Sequence, residues 1–294
     1  MGILLGLLTA LSWGFSDFVA RFATRRIGTL LTMFYMQACG FLLLTAFLLY
    51  VRAWGHLFDG SGWRPWAWGV LAGSLNALST LSLYRSFEVG KLAVVAPISA
   101  SYPALTLLLS LATGERLTPA RAIGIVLTLM GVIFVAAGEV PKANADDGSL
   151  PARGNANNAG ILWAVLSSLG FGVLFWLLGT RVIPRAGAIA AVWMIRLTCT
   201  LMTLAILFCL RVPIRPPKGN VRAQAWGMGL LDTSAFVMNN RGMQLEQISV
   251  VSVLSSLYGA VTVALAALVL RERIAGRQWV GIVFIFVGIY LLSR

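Results

Sequence analysis

Three charged side chains, Asp17, Arg196 and Asp232, stand inside stretches that are otherwise apolar. A charge at the centre of a bilayer costs about 2.5–3.5 kcal/mol or more unless it is paired or hydrated, so residues of this kind are retained for pairing or for chemistry. The planar fork of a guanidinium pairs bidentately with a carboxylate or phosphate. Arg196 therefore reads either as one end of a fixed bridge to Asp232 that locks two neighbouring helices, or as the receiver of an anionic group that Asp232 holds in place. Asp17 reads either as a carboxylate facing water near the end of its helix, or as a cavity carboxylate that recognises an amine or takes up a proton. Trp13, Gln37, Asn76, Tyr102, Asn239 and Tyr258 complete a candidate substrate pocket, with Tyr35, Trp176 and Asn240 as further candidates.

Other chemistries lack their parts. The chain has no nucleophile elbow, Walker loop, HExxH or clustered metal-ligand set, and its single histidine, His56, stands in a short loop beside Trp54. These absences argue against an enzyme and call for no metal or cofactor. Cys39, Cys199 and Cys209 lack metal or redox spacing and read as small apolar packers.

Helices in lipid must position these groups. Of 294 residues, 59% are hydrophobic and 11% charged, against roughly 25% charged in soluble domains. A spanning helix needs about 20 mostly apolar residues, and ten such windows can be laid down: 2–21, 30–51, 65–84, 93–113, 120–138, 159–179, 187–210, 223–240, 249–270 and 277–293. The expected fold is thus an all-α membrane protein with ten transmembrane helices. The formal charge of +13 sits almost wholly in short connections, where it anchors topology and meets lipid headgroups and does not serve nucleic acid. Fourteen Lys and Arg follow the odd-numbered helices and eight lie on the opposite side, so the positive-inside rule puts both termini outside the cytoplasm of a plasma (inner) membrane. Met1 to Ala20 has no basic n-region and is followed by Arg21, Arg25 and Arg26, which marks a retained helix and not a signal peptide.

The chain is written twice. "GERLTPARAIGIVLTLMGVIFV" from Gly114 returns 157 positions later as "RERIAGRQWVGIVFIFVGIYLL", with Glu115 over Glu272, Gly124 over Gly281 and Gly131 over Gly288. "GILLGLLTALSWG" at Gly2 lies over "GILWAVLSSLGFG" at Gly160, and "VVAPISASYPALT" over "VVSVLSSLYGAVT", aligning Trp13 with Phe171 and Tyr102 with Tyr258. Residues 1–138 form the first five-helix unit, 139–158 a polar linker and 159–294 the second. Five is odd, so the second unit must enter the bilayer inverted, the usual architecture of secondary transporters. The charges depart from the repeat: Asp17, Arg196 and Asp232 lie over Phe175, Ala38 and Ser74. Pro97 and Pro103 should kink the fourth helix, whereas the ninth has Val253 and Gly259 there and is expected to bend differently. Glu115 and Glu272, each beside an arginine, read as conformational or topological anchors.

These repeated segments, the opening "LLTALSWGFSDFVAR" and the tyrosine of "SYPALT" and "SLYGAVT" resemble the EamA-type members of the drug/metabolite transporter superfamily, over almost the whole chain. The resemblance implies a ten-helix secondary carrier, commonly an exporter, holding a small organic metabolite between its halves. An amino acid or related zwitterion or anion suits Arg196 and Asp232, and protons suit a titrating Asp17 or Asp232 as coupling ion. Two other readings stand beside it: a flippase-like carrier of an amphipathic or lipid-linked substrate, and a membrane scaffold without flux. The motifs specify neither substrate identity nor oligomeric state.

Overall fold

The computed structural model describes residues 1–52, 54, 57–60, 62–90, 92–136, 154–214, 216–270 and 276–292, and every described element is helical. In the first half these are α1 (Gly2–Ile27), α2 (Thr29–Val51), α3 (Arg64–Val89), α4 (Leu92–Ser99), α5 (Pro103–Ala112) and α6 (Pro119–Ala136). In the second they are α7 (Gly154–Leu177), continued by a π turn (Leu178–Val182) into α8 (Ile183–Ala186), then α9 (Ala188–Cys209), α10 (Asn220–Leu245), α11 (Ile248–Ser255), α12 (Tyr258–Leu270) and α13 (Gly276–Leu292). His56, Glu272 and most of the linker lie outside the described residues.

Five segments are long and apolar enough to cross a membrane: Gly2–Ile27, Thr29–Val51, Ala159–Ala186, Ala188–Cys209 and Ile248–Leu265. α3 and α10, at 26 residues each, are long enough as well, but polar residues dilute them, and those residues point inward. Asn76, Ser79 and Thr80 of α3 and Asp232, Asn239 and Asn240 of α10 are buried, while Val70, Leu71, Leu78 and Leu230 are exposed. Apolar outside and polar inside suits a solvent of lipid.

The halves pack on each other reciprocally. α1 lies along α10 and α7 along α3, while α2 meets α9 and α6 meets α13. The last two pairings are antiparallel: Thr45 of α2 bonds Trp193 and Gln37 bonds Arg196, and Gly124 and Gly131 of α6 face Gly288 and Gly281 of α13. Matched hydrogen bonds tie one half to the other. Thr106 Oγ1 donates to the carbonyl of Gly172 at 3.0 Å, and its counterpart Thr262 Oγ1 donates to Gly14 at 3.2 Å.

Each half turns its first corner on a glycine. Gly28 and Gly187 have φ of 81° and 86°, a region open to glycine and strained for other residues. Each donates its N–H to the preceding helix and accepts from the next.

The fourth and ninth windows are each broken at the same place, before Pro103 and at Ser256–Leu257. Both windows are thus interrupted, one with prolines and one without. In the proline-free copy, Ser255 Oγ donates to the carbonyl of Ser252 and Ser256 Oγ to that of Val253, bonds that compete with helix propagation. A correction concerns Asp17: α1 runs on to Ile27, so Asp17 sits within the helix and is buried, not at a wet end.

The α6–α13 contact has no room for a side chain at its glycines. A methyl group on Gly131 would lie 2.7 Å from the carbonyl oxygen of Gly281, and one on Gly288 would lie 2.8 Å from that of Gly124. Gly131→Val is expected to destabilise the folded protein by about 1–3 kcal/mol, read as a lower unfolding midpoint in detergent. An unchanged midpoint would mean that the two helices do not pack this closely.

Candidate functional site

A cavity lies where the halves meet, lined by Trp13 and Asp17 of α1, Met36 of α2, Thr80, Leu83 and Tyr84 of α3, Tyr102, Phe171 and Phe175 of α7, Asp232 and Phe236 of α10, and Tyr258. Its free volume is about 30 Å³, space for a water or two. The aromatic rings contact one another. Trp13 lies 5.5 Å from Phe175, 5.1 Å from Phe236 and 6.1 Å from Tyr258, and Tyr102 lies 4.8 Å from Phe175 and stacks on Tyr258 at 6.4 Å.

Arg196 stands behind this wall and is fully buried. Its Nη2 is 2.5 Å from Asp232 Oδ2, Nη1 donates to Gln37 Oε1 at 2.6 Å, and Cζ lies 5.0 Å from the centre of the Phe236 ring. The contact with Asp232 is a charge contact off the N–H axis, and neither Nη2 nor Nε completes a hydrogen bond. One guanidinium thus joins α2, α9 and α10. Gly40 and Gly229 permit the approach of α2 to α10: a methyl on Gly229 would fall 2.8 Å from Cys39 Cβ.

Asp17 is also buried, at 6% exposure, but among the described residues it has no hydrogen-bond or ion-pair partner, and it faces the cavity that Asp232 also lines. Tyr102 and Tyr258, matched in the repeat, differ in use. The Tyr102 hydroxyl donates to the carbonyl of Ser252 at 3.1 Å and lies 2.8 Å from Ser255 Oγ, closing the gap in the broken ninth window. The Tyr258 hydroxyl is buried without a partner among the described residues.

Of the sequence candidates, Trp13, Asp17, Tyr102, Asp232 and Tyr258 meet in the cavity wall, and Arg196 and Gln37 stand one layer behind. Asn76 donates to Cys199 Sγ at 3.2 Å, Asn239 to Met243 Sδ at 3.8 Å and Asn240 to the carbonyl of Ala188 at 3.1 Å; none of the three lines the cavity. Trp176 bonds Thr113 elsewhere. Cys39 and Cys199 are buried, whereas Cys209 is exposed at the end of α9. Sequence reasoning missed Phe171, Phe175, Tyr84 and Phe236. The repeat carried a signal for the first two, which are the counterparts of Trp13 and Asp17.

At the end of the bundle where α1 begins, polar bonds cross between the halves. Arg121 Nη1 donates to Glu246 Oε1 and to Gln247 Oε1, both at 2.8 Å, Gln247 Nε2 donates to the carbonyl of Arg116 at 2.7 Å, and Ser249 donates to Glu115 through its hydroxyl and its N–H. The counterpart of Glu246 is Glu88, and it stays within its own half, accepting from Thr29 and Arg85.

The sequence model of the EamA-like transporter family matches the chain twice, over residues 1–137 and 158–294. The chain belongs to the EamA-like transporter family. It is accordingly a multi-pass membrane protein, of a family that moves small molecules across the lipid bilayer. An uncharacterised protein of Methanocaldococcus jannaschii is 29% identical over 134 residues, an alignment covering 94% of that protein and 45% of this chain. A solved crystal structure superposes with a TM-score of 0.74 at 19% identity, covering 99% of this chain and 95% of the other, a likeness of fold.

Removing one member of a buried ion pair leaves the other uncompensated, whereas replacing both with apolar groups is often neutral. Arg196→Met is therefore expected to cost about 3–5 kcal/mol in unfolding measurements on purified protein, and adding Asp232→Leu to recover most of it. Equal stability of the single variant and the parent would show that the pair does not hold the bundle.

Proposed function

We propose that the protein is a secondary transporter of ten passes in two inverted halves that exports a small organic metabolite by alternating access. The observation that carries this reading is the buried cavity at the meeting of the two halves, walled by aromatic rings of both and holding charges that the repeat does not share. Sites between rocking repeats are how such carriers expose a solute to one side at a time. α3 and α10, too polar to count as spans by apolarity, cross the bilayer in this reading with their polar faces inward. The fourth and ninth passes cross as broken pairs.

The bonds of Arg121 and Glu115 to the second half close one face, which the distribution of basic residues makes the non-cytoplasmic one. Rocking must break and remake them. A proton suits the cavity as coupling ion, taken up by Asp17, which shares its surroundings with Asp232 of α10, Tyr84 of α3 and Tyr258 of α12, with Arg196 of α9 behind.

Reconstituted into liposomes, the protein is expected to give saturable flux of at least one member of a panel of amino acids, amines, nucleobases and sugars. Arg196→Lys, which keeps the charge but not the fork that reaches Gln37 and Asp232 together, is expected to slow that flux about tenfold or more. No flux for any solute would contradict transport. Flux indifferent to an imposed pH gradient would replace proton coupling by facilitated diffusion.

A further inference from the structure

Building on the transport reading, we infer that the cavity selects a positively charged amine on an apolar, aromatic-compatible body, with Asp17 as its counter-ion, and disfavours carboxylates. Asp232 is matched by Arg196 at 2.5 Å. That guanidinium is engaged by Gln37, covered by Phe236 and absent from the cavity wall, so it offers a solute no accessible positive charge. Asp17 remains, nine-tenths buried and partnerless among the described residues. When ionised it accepts hydrogen bonds and donates none, so a ligand that completes it must bring donors and a positive charge. With Asp17 ionised the cavity as a whole lacks one positive charge, and a monocation supplies it.

The walls agree with the charge. Aromatic faces carry negative quadrupole potential, which attracts ammonium groups and repels carboxylates. Trp13 sits one helical turn before Asp17 and contacts rings from α7, α10 and α12, and the same rings line the cavity with Asp17, so an ammonium at Asp17 would lie among aromatic rings. The free Tyr258 hydroxyl in the same wall can accept a second N–H. The present volume of about 30 Å³ admits the ammonium and not the body, so the rings must part to bind. They come from both halves, and a movement between halves parts them. An amino acid would place its carboxylate in this wall without a cation to meet it.

The test compares three ligands of one shape on the full-length purified protein: phenethylamine, phenylalanine and 3-phenylpropionate, by calorimetric titration at neutral pH. Phenethylamine is expected to bind at least tenfold more tightly than the other two, and Asp17→Asn to lose that binding tenfold or more while Asp17→Glu retains part of it. The inference is overturned if phenylalanine or 3-phenylpropionate binds as well as the amine, if none of the three binds, or if Asp17→Asn binds the amine like the parent. The ligand comparison needs no variant and so does not depend on a variant folding. Flux of phenylalanine without binding of phenethylamine would overturn this inference and leave transport standing, whereas amine binding without flux of any solute would do the reverse.

Discussion

An arginine inside an apolar bundle has to be neutralised where it stands, and Arg196 imposes that requirement on its surroundings. Its charge faces Asp232 on α10, one arm takes the Gln37 amide on α2, and its flat face rests on Phe236. The three helices come within reach because glycines stand where α2 meets α10. Among the described residues the pair absorbs the only buried positive charge near the cavity, so Asp17 is left with none. The stability of the bundle and the charge of the cavity thus trace to the same contact.

Around it, the fold uses one scaffold twice and departs from the repeat where the two halves must differ. The shared parts are backbone devices: the left-handed corners at Gly28 and Gly187, the threonine bonds to Gly14 and Gly172, and the α6–α13 glycines. The corners turn each half on itself and the other two join the halves, all without regard to the solute. The departures are side chains with charge or donors. Asp17 lies over a phenylalanine, Tyr102 is tied to the opposite half while Tyr258 is free, and Glu246 bonds across the halves while Glu88 bonds within its own. A protein whose two faces must open in turn can be built from equal halves, but what it binds is set where they are unequal.

The helical fold and the two-unit plan were legible because membrane helices write themselves in long apolar windows, and duplication repeats each signal. Asp17, Arg196 and Asp232 were legible because charge in such a window is conspicuous. Helix ends were less so: α3 reaches Val89 and α10 begins at Asn220, beyond their apolar windows, since polar residues at a helix end or on an inner face do not interrupt helix. The break at Ser256 was hidden because side-chain hydroxyls, not a proline, make it. The aromatic wall was the hardest part. A phenylalanine facing a cavity and one facing lipid are the same letter, and only its contacts with Trp13, Tyr102 and Phe236 tell Phe175 from its neighbours.

The central claim, a cavity between inverted halves that opens to one side at a time, is tested most directly by thiol accessibility. Thr80 lines the cavity without carrying charge, and Thr80→Cys in a background lacking Cys39, Cys199 and Cys209 can be challenged with a membrane-impermeant maleimide from each side of oriented vesicles. The expected result is labelling from the face opposite the Arg121–Glu246 contact, moving toward the Arg121 face when Arg121→Ala removes that contact. Labelling from both faces at once, or from neither in both backgrounds, would contradict it.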